Sequence, residues 1–380
     1  MARQHGFRMA NEMEENVRAQ PGLIPMLPRA GIGWRERTVA RTVCYLAFVG
    51  LISSHFALAY ITGTKPYMNL RDYVNGTATL PFQYRALTSW ILSFASDTPL
   101  MRTVSSGLPA PFNDPVQLSL LLVVAIAFAC FIEIARRSII LVTQDRDLSA
   151  ICAVLAPATA YVTYVAMANT YRWSYPYDIP SLALFSLAYF FLLKADLLAF
   201  FVAFFVASLS RETSLFLILI FICHRWTGIP SFVRRDGINV TLLAAIFVAV
   251  RIALFVTYGN NLRETAIGHE PSMVSVIPGA LFVFQPENLE NLVSPQYWPS
   301  MLSVVGWLWL AVLFRWRFLN RSDIRRTLLV VSPVWFLAML VGGRLTEVRL
   351  FGELTLVFVV AVAIILKNWL VERGYRSHIG

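Results

Sequence analysis

From Leu197 to Cys223 the chain runs for 27 residues that are apolar except near the middle, where Arg211 and Glu212 stand side by side. As one helix, at about 1.5 Å per residue, this stretch is long enough to cross a hydrocarbon core of roughly 30 Å. Such a crossing buries two charges near the bilayer centre, at a cost on the order of 3 kcal/mol each. The alternative is a hairpin of two short arms, Leu197–Ser210 and Ser214–Cys223, joined at a charged tip. Each arm spans only about 15–21 Å, so a hairpin must sit inside protein or reach a water-filled cavity. The flanks decide between the two. Lys194 precedes the stretch, and Arg225, Arg234 and Arg235 follow it. Positive residues collect on the cytoplasmic side of membrane proteins. A single crossing would separate these flanks and turn Arg315, Arg317, Arg321, Arg325 and Arg326 outward. The hairpin keeps them all inside, so the sequence predicts a hairpin with Arg211 and Glu212 at an outward-facing site.

Apolar windows of similar length recur along the chain. Apolar residues make up 57%, charged residues 14%, and mean hydropathy is +0.61. That pattern predicts an all-α, polytopic integral-membrane helical bundle of about ten membrane segments, one pair of them short-armed. The expected spans lie near 41–62, 116–135, 148–168, 181–193, the two hairpin arms, 238–258, 298–314, 327–343 and 354–366. Residues 1–38 read as a flexible cytoplasmic tail with no apolar run of the cleavable-signal kind near Met1. Residues 39–372 form the transmembrane domain, with outer loops 63–115 and 259–297, and 373–380 a cytoplasmic C-terminal tail. The localisation expected is a bacterial inner membrane with both termini cytoplasmic. The net charge of +10 is carried largely by inner loops, so it does not point to nucleic acid. Cys44, Cys130, Cys152 and Cys223 all fall in apolar stretches and read as small core residues, without disulfide or metal spacing. His55, alone on the first span, reads as a core or cavity histidine.

The outer segments are unusual in kind. Most of their basic residues stand next to a carboxylate or an aromatic: Arg71-Asp72, Tyr84-Arg85, Arg172-Trp173, Arg211-Glu212, Arg263-Glu264, and Glu347 with Arg349. Arginine grips phosphate with two parallel hydrogen bonds and keeps its charge. Carboxylates act as general bases. Aromatic faces stack on sugar rings. A pocket for a lipid-linked phosphosugar and a hydroxyl acceptor uses all three. Plainer roles stand beside these. Arg211 and Glu212 read equally as an internal pair, Arg251 as a partner of Glu212, and Glu347 with Arg349 as a mutual surface pair. Asp72 reads as a cap on the Asn75-Gly76 turn, and Arg85 as a contact to lipid headgroups. From Phe82 to Ala95 the pattern predicts a helix lying in the membrane interface. The carboxylates are too scattered to predict a metal site or any other cofactor.

These features resemble the GT-C superfamily of integral-membrane glycosyltransferases, which use polyprenyl-phosphate sugars. The points of similarity are Arg71-Asp72-Tyr73 after the first span and the interfacial segment Pro81-Phe82-Gln83-Tyr84-Arg85. Arg211-Glu212-Thr213 within a broken apolar stretch and the late Glu347-Val348-Arg349 look similar to uncharacterised bacterial membrane proteins grouped near that superfamily. Asp72 stands alone where members carry an acidic pair. The resemblance implies inverting displacement at an anomeric carbon. Asp72 is then the base for the acceptor hydroxyl. Arg211, Arg344 and Arg349 hold the departing phosphate, and Arg85, beside Tyr84, guides the lipid phosphate. Tyr171, Trp173, Tyr175 and Tyr177 form a sugar-facing wall, Arg172 beside them binds substrate, and Asp178 binds hydroxyls. Glu212 orients Arg251 or Arg211. The implied partners are the bilayer, a lipid-linked sugar donor and a glycan acceptor. Two other readings stay open: a surface-polysaccharide polymerase or ligase, and a transporter or flippase of an anionic or lipid-linked substrate.

Overall fold

The computed structural model describes residues 34–166, 173–261, 273–277, 280–283, 287–343 and 345–374. Residues Met1–Ala47 and Phe48–Gly380 separate into two units. The contacts below all lie in the second. The expected tail, 1–38, lies almost wholly outside the described residues, as do 375–380 and much of loop 259–297.

The described chain is mostly helical. α1 is Trp34–Thr62, followed by the two-residue strand β1 at Lys65–Pro66. The first long loop folds into three short helices, α2 (Leu70–Val74), α3 (Ala86–Ser96) and α4 (Pro99–Ser106). α5 (Pro115–Thr143) begins at Asp114, whose carboxylate accepts from the Val116 N–H at 2.9 Å, with Pro115 in the first turn. α5 runs past Arg136-Arg137, where the sequence predicted a stop. Both arginines pair with Glu133 one turn back at 2.8 and 2.7 Å, so they sit on the helix surface without ending it. Charge marks a membrane edge, not a helix terminus.

The next span is built in pieces: α6 (Arg146–Ala153), α7 (Leu155–Tyr161) and a π-helical turn, Val162–Ala166. β2 (Trp173–Ser174) then pairs parallel to β1, Lys65 beside Trp173 and Pro66 beside Ser174. Two loops that the sequence treats separately are thereby tied together. α8 (Asp178–Leu193) starts at the acidic residue itself. A tight reversal follows, with Ala195 at φ 60° and Asp196 capping the next helix through the Ala199 N–H.

The 27-residue apolar stretch is two helices, α9 (Leu197–Ser210) and α10 (Leu215–Arg225). Arg211 is extended, at φ −159° and ψ 147°, and Glu212–Ser214 form one tight turn. The arms double back. The rings of Phe200 and Phe221, about ten residues to either side of the tip, stack with centroids 5.6 Å apart. As one straight helix, at about 1.5 Å per residue, the two would stand roughly 30 Å apart. The start of α8 meets the end of α9 through Ser181 Oγ and Ser210 Oγ, 2.8 Å apart. With Phe200→Cys and Phe221→Cys in a background lacking the four native cysteines, mild oxidation is expected to cross-link the arms. Absence of a cross-link under conditions that oxidise both thiols counts against the reversal.

α11 (Ile229–Tyr258) is 30 residues long and runs back along α10. Asp236, fully buried, holds Arg225 and Arg235 there at 3.1 and 2.7 Å. A short antiparallel pair, β3 (Met273–Ile277) and β4 (Ala280–Val283), and helix α12 (Glu287–Val293) come next. The span expected at 298–314 is bent by 70° between Pro295–Leu302 and Val304–Phe314, which contain α13 (Trp298–Leu302) and α14 (Leu308–Phe314). The cause is local: Val305, Gly306 and Trp307 all have left-handed backbone, at φ 45°, 59° and 61°. α15 (Ser322–Gly342) and α16 (Thr355–Glu372) complete the bundle.

Six helical spans among the described residues are long and apolar enough to cross a membrane, seven counting the bent pair. This is an integral membrane protein. α8, α9 and α10 are shorter. One end of the bundle gathers Thr143, His224, Phe318, Asp323, Lys367 and Asn368. There Lys367 Nζ donates to the Thr143 carbonyl, Asn368 to the Phe318 carbonyl, and His224 pairs with Asp323 at 3.1 Å. The start of α8, the α9–α10 tip and the segment before α16 meet at the other end. Of the cysteines, Cys152 and Cys223 are buried as expected. Cys44 and Cys130 are exposed on helix faces, because an apolar surface is as acceptable toward lipid as toward a core. His55 is likewise exposed and stacks near Tyr161, with ring centroids 6.4 Å apart, so it is not a core histidine.

Candidate functional site

Asp178 is the centre of the site. It is fully buried at the first turn of α8. Arg349 Nη1 donates to both its oxygens, at 3.3 and 3.0 Å, and Arg211 Nη1 reaches Oδ1 at 3.4 Å. Tyr60 Oη accepts from the Tyr175 N–H at 3.0 Å and donates to Asp178 Oδ2 at 3.2 Å. Arg211 also meets Glu353 Oε1 at 3.4 Å, and Arg349 Nη2 meets Glu347 at 2.5 Å. Four segments therefore supply one connected charge network: the end of α1, the start of α8, the hairpin tip, and the turn before α16.

A second cluster adjoins it. Arg85, at the N-terminus of α3, grips Glu212 with Nε at 3.1 Å and with Nη2, and donates through Nη1 to the Tyr177 hydroxyl. Two guanidiniums lie near the Tyr177 ring, with Arg85 Cζ 4.5 Å and Arg211 Cζ 6.0 Å from its centroid. Arg349 Cζ sits 3.7 Å over the Tyr175 ring. Arginine stacks well on tyrosine because its flat, weakly hydrated cation meets the ring's negative face. Tyr73, on α2, holds Arg85 in place by donating to its carbonyl. Burial pushes the Tyr177 hydroxyl well above its usual range even against the pull of Arg85, so it stays neutral while it accepts from Arg85. Burial alone would raise the Glu212 carboxyl; Arg85 beside it reverses that and holds it well below the carboxylate range.

Several expected residues meet here: Arg85, Tyr177, Asp178, Arg211, Glu212, Glu347 and Arg349. Their pairings differ from those the sequence suggested. Glu212 belongs to Arg85 rather than to Arg211 or Arg251, because the extended residue and tight turn at the tip send neighbouring side chains to different partners. Arg251 is fully buried and donates to two carbonyls, Tyr84 O at 3.4 Å and Ser208 O. It makes no ion pair among the described residues. Glu347 and Arg349 do pair, but inside the protein, with side chains only 15% and 10% exposed.

Asp72 is exposed on α2, and among the described residues its carboxylate makes no ion pair. Its carbonyl, not its side chain, closes the turn by accepting from the Thr77 N–H at 2.9 Å. Asn69 supplies the cap to α2. Tyr84 is buried in a small apolar cluster with Leu80, Val250 and Leu254. Trp173 packs on Tyr67, centroids 4.4 Å apart, at the edge of the aromatic run. The faces of Tyr175 and Tyr177 expected to stack on sugar are covered by arginine. Arg172, Arg344 and Tyr171 lie outside the described residues. A helix forms in this stretch as α3, beginning at Ala86 rather than Phe82, with Trp90 and Ile91 exposed and Leu92 buried.

Sequence reasoning passed over Tyr60, Tyr164 and Glu353. Glu353 stands in Phe351-Gly352-Glu353-Leu354, at the mouth of an apolar run. A lone buried acid there was the available signal. The Tyr164 hydroxyl rests directly against Gly352, so that even a Cβ at 352 collides with it. Gly352→Ala is therefore expected to lower thermal stability by about 1–3 kcal/mol, the usual range for overpacking. Adding Tyr164→Phe should recover part of the loss in detergent-solubilised protein. A small, part-open hollow borders Tyr60 and Tyr175 and is lined also by Met68, Leu70, Gln117 and Ser174. Among the described residues no group of three or more His, Cys, Asp or Glu is arranged to hold a metal ion.

Comparison with protein-family models, with curated proteins and with solved structures finds no match.

Proposed function

We propose that this protein is a membrane glycosyltransferase. It moves a sugar from a polyprenyl-phosphate donor to a hydroxyl of a lipid-linked or cell-surface glycan, with inversion, on the extracytoplasmic side of a bacterial inner membrane. The finer architecture proposed with it is GT-C-like, about ten membrane segments once the short helices α8, α9 and α10 are counted, with both termini cytoplasmic. One observation carries the reading. Arg85, Arg211 and Arg349, from three distant segments, surround Tyr177-Asp178 at a single end of the bundle. Three convergent guanidiniums make a phosphate cradle. Without substrate their charge is balanced by Asp178, Glu212, Glu347 and Glu353. An incoming phosphate takes over hydrogen bonds from those carboxylates, which are then free to bind hydroxyls or accept a proton. The arginines stabilise the charge that develops on the leaving phosphate. The base expected at Asp72 sits outside this cluster, so the reaction is assigned to the carboxylates within it.

The test uses the full chain in detergent and then in liposomes. Polyprenyl phosphate is expected to raise its unfolding temperature, and Arg349→Lys to abolish most of that rise, since lysine cannot make the paired contact. A polyprenyl-phosphate-linked hexose should then act as donor. No stabilisation by polyprenyl phosphate at saturating concentration removes the sugar-transfer reading. The doubled-back α9–α10 arms also favour a carrier of anionic substrate. Uptake of the lipid-linked hexose across the liposome without transfer decides for that.

A further inference from the structure

Four atoms beside the arginine cluster are buried and have no hydrogen-bond partner among the described residues: Glu353 Oε2, Arg211 Nε, Thr213 Oγ1 and Tyr164 Oη. Each of the four residues is at most 5% exposed. They come from three separate segments and converge. Arg211 already reaches the other Glu353 oxygen at 3.4 Å. Thr213 lies beside the same carboxyl without meeting hydrogen-bond geometry. Tyr164 is pressed against Gly352, the residue before Glu353. It is placed there by the π-helical turn Val162–Ala166, a distortion that recurs at functional sites.

Buried polar atoms are nearly always paired, so four unpaired ones together mark the place of a polar group from outside the chain. Their chemistry narrows which group. Glu353 Oε2 only accepts, Arg211 Nε only donates, and the two hydroxyls do both. An alcohol hydroxyl, with one proton to give and two lone pairs to receive, meets the carboxylate oxygen, the arginine N–H and one of the two hydroxyls. A phosphate oxygen would face a carboxylate, and a metal ion would face an arginine N–H. The hollow beside Tyr60 lies close: the Tyr60 and Tyr164 rings meet edge-on with centroids 6.4 Å apart.

We propose that this corner is the subsite for the acceptor's hydroxyl group and that Glu353 takes its proton. The proposal rests on the sugar-transfer reading above. In the step, the acceptor O–H bond breaks and its proton goes to Glu353 Oε2. The freed oxygen bonds the anomeric carbon of the donor. The carbon–oxygen bond to the donor phosphate breaks, and its electron pair stays on the phosphate oxygen, held by Arg211 and Arg349.

The experiment uses liposomes containing the full chain, a polyprenyl-phosphate-linked hexose as donor and benzyl glucoside as acceptor probe. Glu353→Gln keeps the side chain's shape but cannot take a proton. It is expected to lower kcat by about 100-fold or more, with stabilisation by polyprenyl phosphate retained or increased, since a carboxylate that competes for Arg211 is gone. Tyr164→Phe and Thr213→Val, which only remove hydroxyls, should raise the acceptor KM by about two- to tenfold and leave the donor KM alone. If Glu353→Gln does not fold, these two variants decide. A wild-type rate in Glu353→Gln, or an unmoved acceptor KM in both hydroxyl variants, overturns the subsite; the corner then holds only an ordered water. A wild-type protein that neither responds to polyprenyl phosphate nor transfers sugar overturns the function itself, a distinguishable result.

Discussion

Asp178→Ala should be among the most damaging single changes in this protein, costing about 3–5 kcal/mol of stability. Asp178 is fully buried and is shared by Arg349, Arg211 and Tyr60. Alanine leaves two guanidiniums and a hydroxyl without the carboxylate oxygens they share. Arg349 keeps Glu347 and Arg211 keeps Glu353, which prevents a larger penalty. Asp178→Asn retains the shape but points an N–H at donors, so it should fall between alanine and the wild type. The measurement is thermal unfolding of detergent-solubilised protein, with a drop of several degrees expected for alanine. Glu133→Ala is the control. Glu133 holds two arginines on the surface of α5, one of them 63% exposed, and such pairs contribute only about 0–1 kcal/mol. Equal unfolding temperatures for Asp178→Ala and Glu133→Ala would show that the buried network carries no special weight.

The contrast between these two acids also shows what could be read from the chain. The Glu133 pairs are local, one helical turn away, and follow from spacing. The partners of Asp178 lie 33, 118 and 171 residues away. No local pattern reports such distances. The reversal at Arg211 was legible, because two adjacent charges inside an apolar run have few tolerable positions and Lys194 on one side and Arg225, Arg234 and Arg235 on the other fix both ends. So was the gathering of Arg85, Tyr177, Asp178, Arg211 and Arg349 at one end, which follows from the parity of the spans. Who pairs with whom was not legible. Adjacent residues such as Arg211 and Glu212 look like a pair on paper. The backbone between them breaks from helix to extended to tight turn, so each turns to a different element. Glu353 was hidden by its position, one residue from an apolar span whose boundary the sequence leaves loose. The bend at Val305–Trp307 was hidden because only one of its three left-handed residues is glycine.

That re-pairing changes which double substitution is informative. Replacing Arg85 by Met and Glu212 by Leu should give a protein that folds but has lost its ligand. Either change alone strips a buried charge of its partner and is expected to cost about 3 kcal/mol, slightly softened because the two side chains keep 10% and 17% exposure. Together, two apolar side chains of similar volume fill the space, and stability should return to within about 1 kcal/mol of the wild type. By contrast, replacing the sequence neighbours Arg211 and Glu212 together should be worse than either change alone. It leaves Arg85 without its carboxylate and takes Arg211 from both Asp178 and Glu353. Thermal unfolding separates these outcomes, and the shift produced by polyprenyl phosphate then assigns the role of Arg85. A guanidinium that holds the donor phosphate cannot be replaced by methionine, so the refolded Arg85→Met, Glu212→Leu protein should show no shift. A full shift in that protein makes the Arg85–Glu212 pair a strut between α3 and the hairpin tip, and leaves Arg211 and Arg349 alone to hold the phosphate.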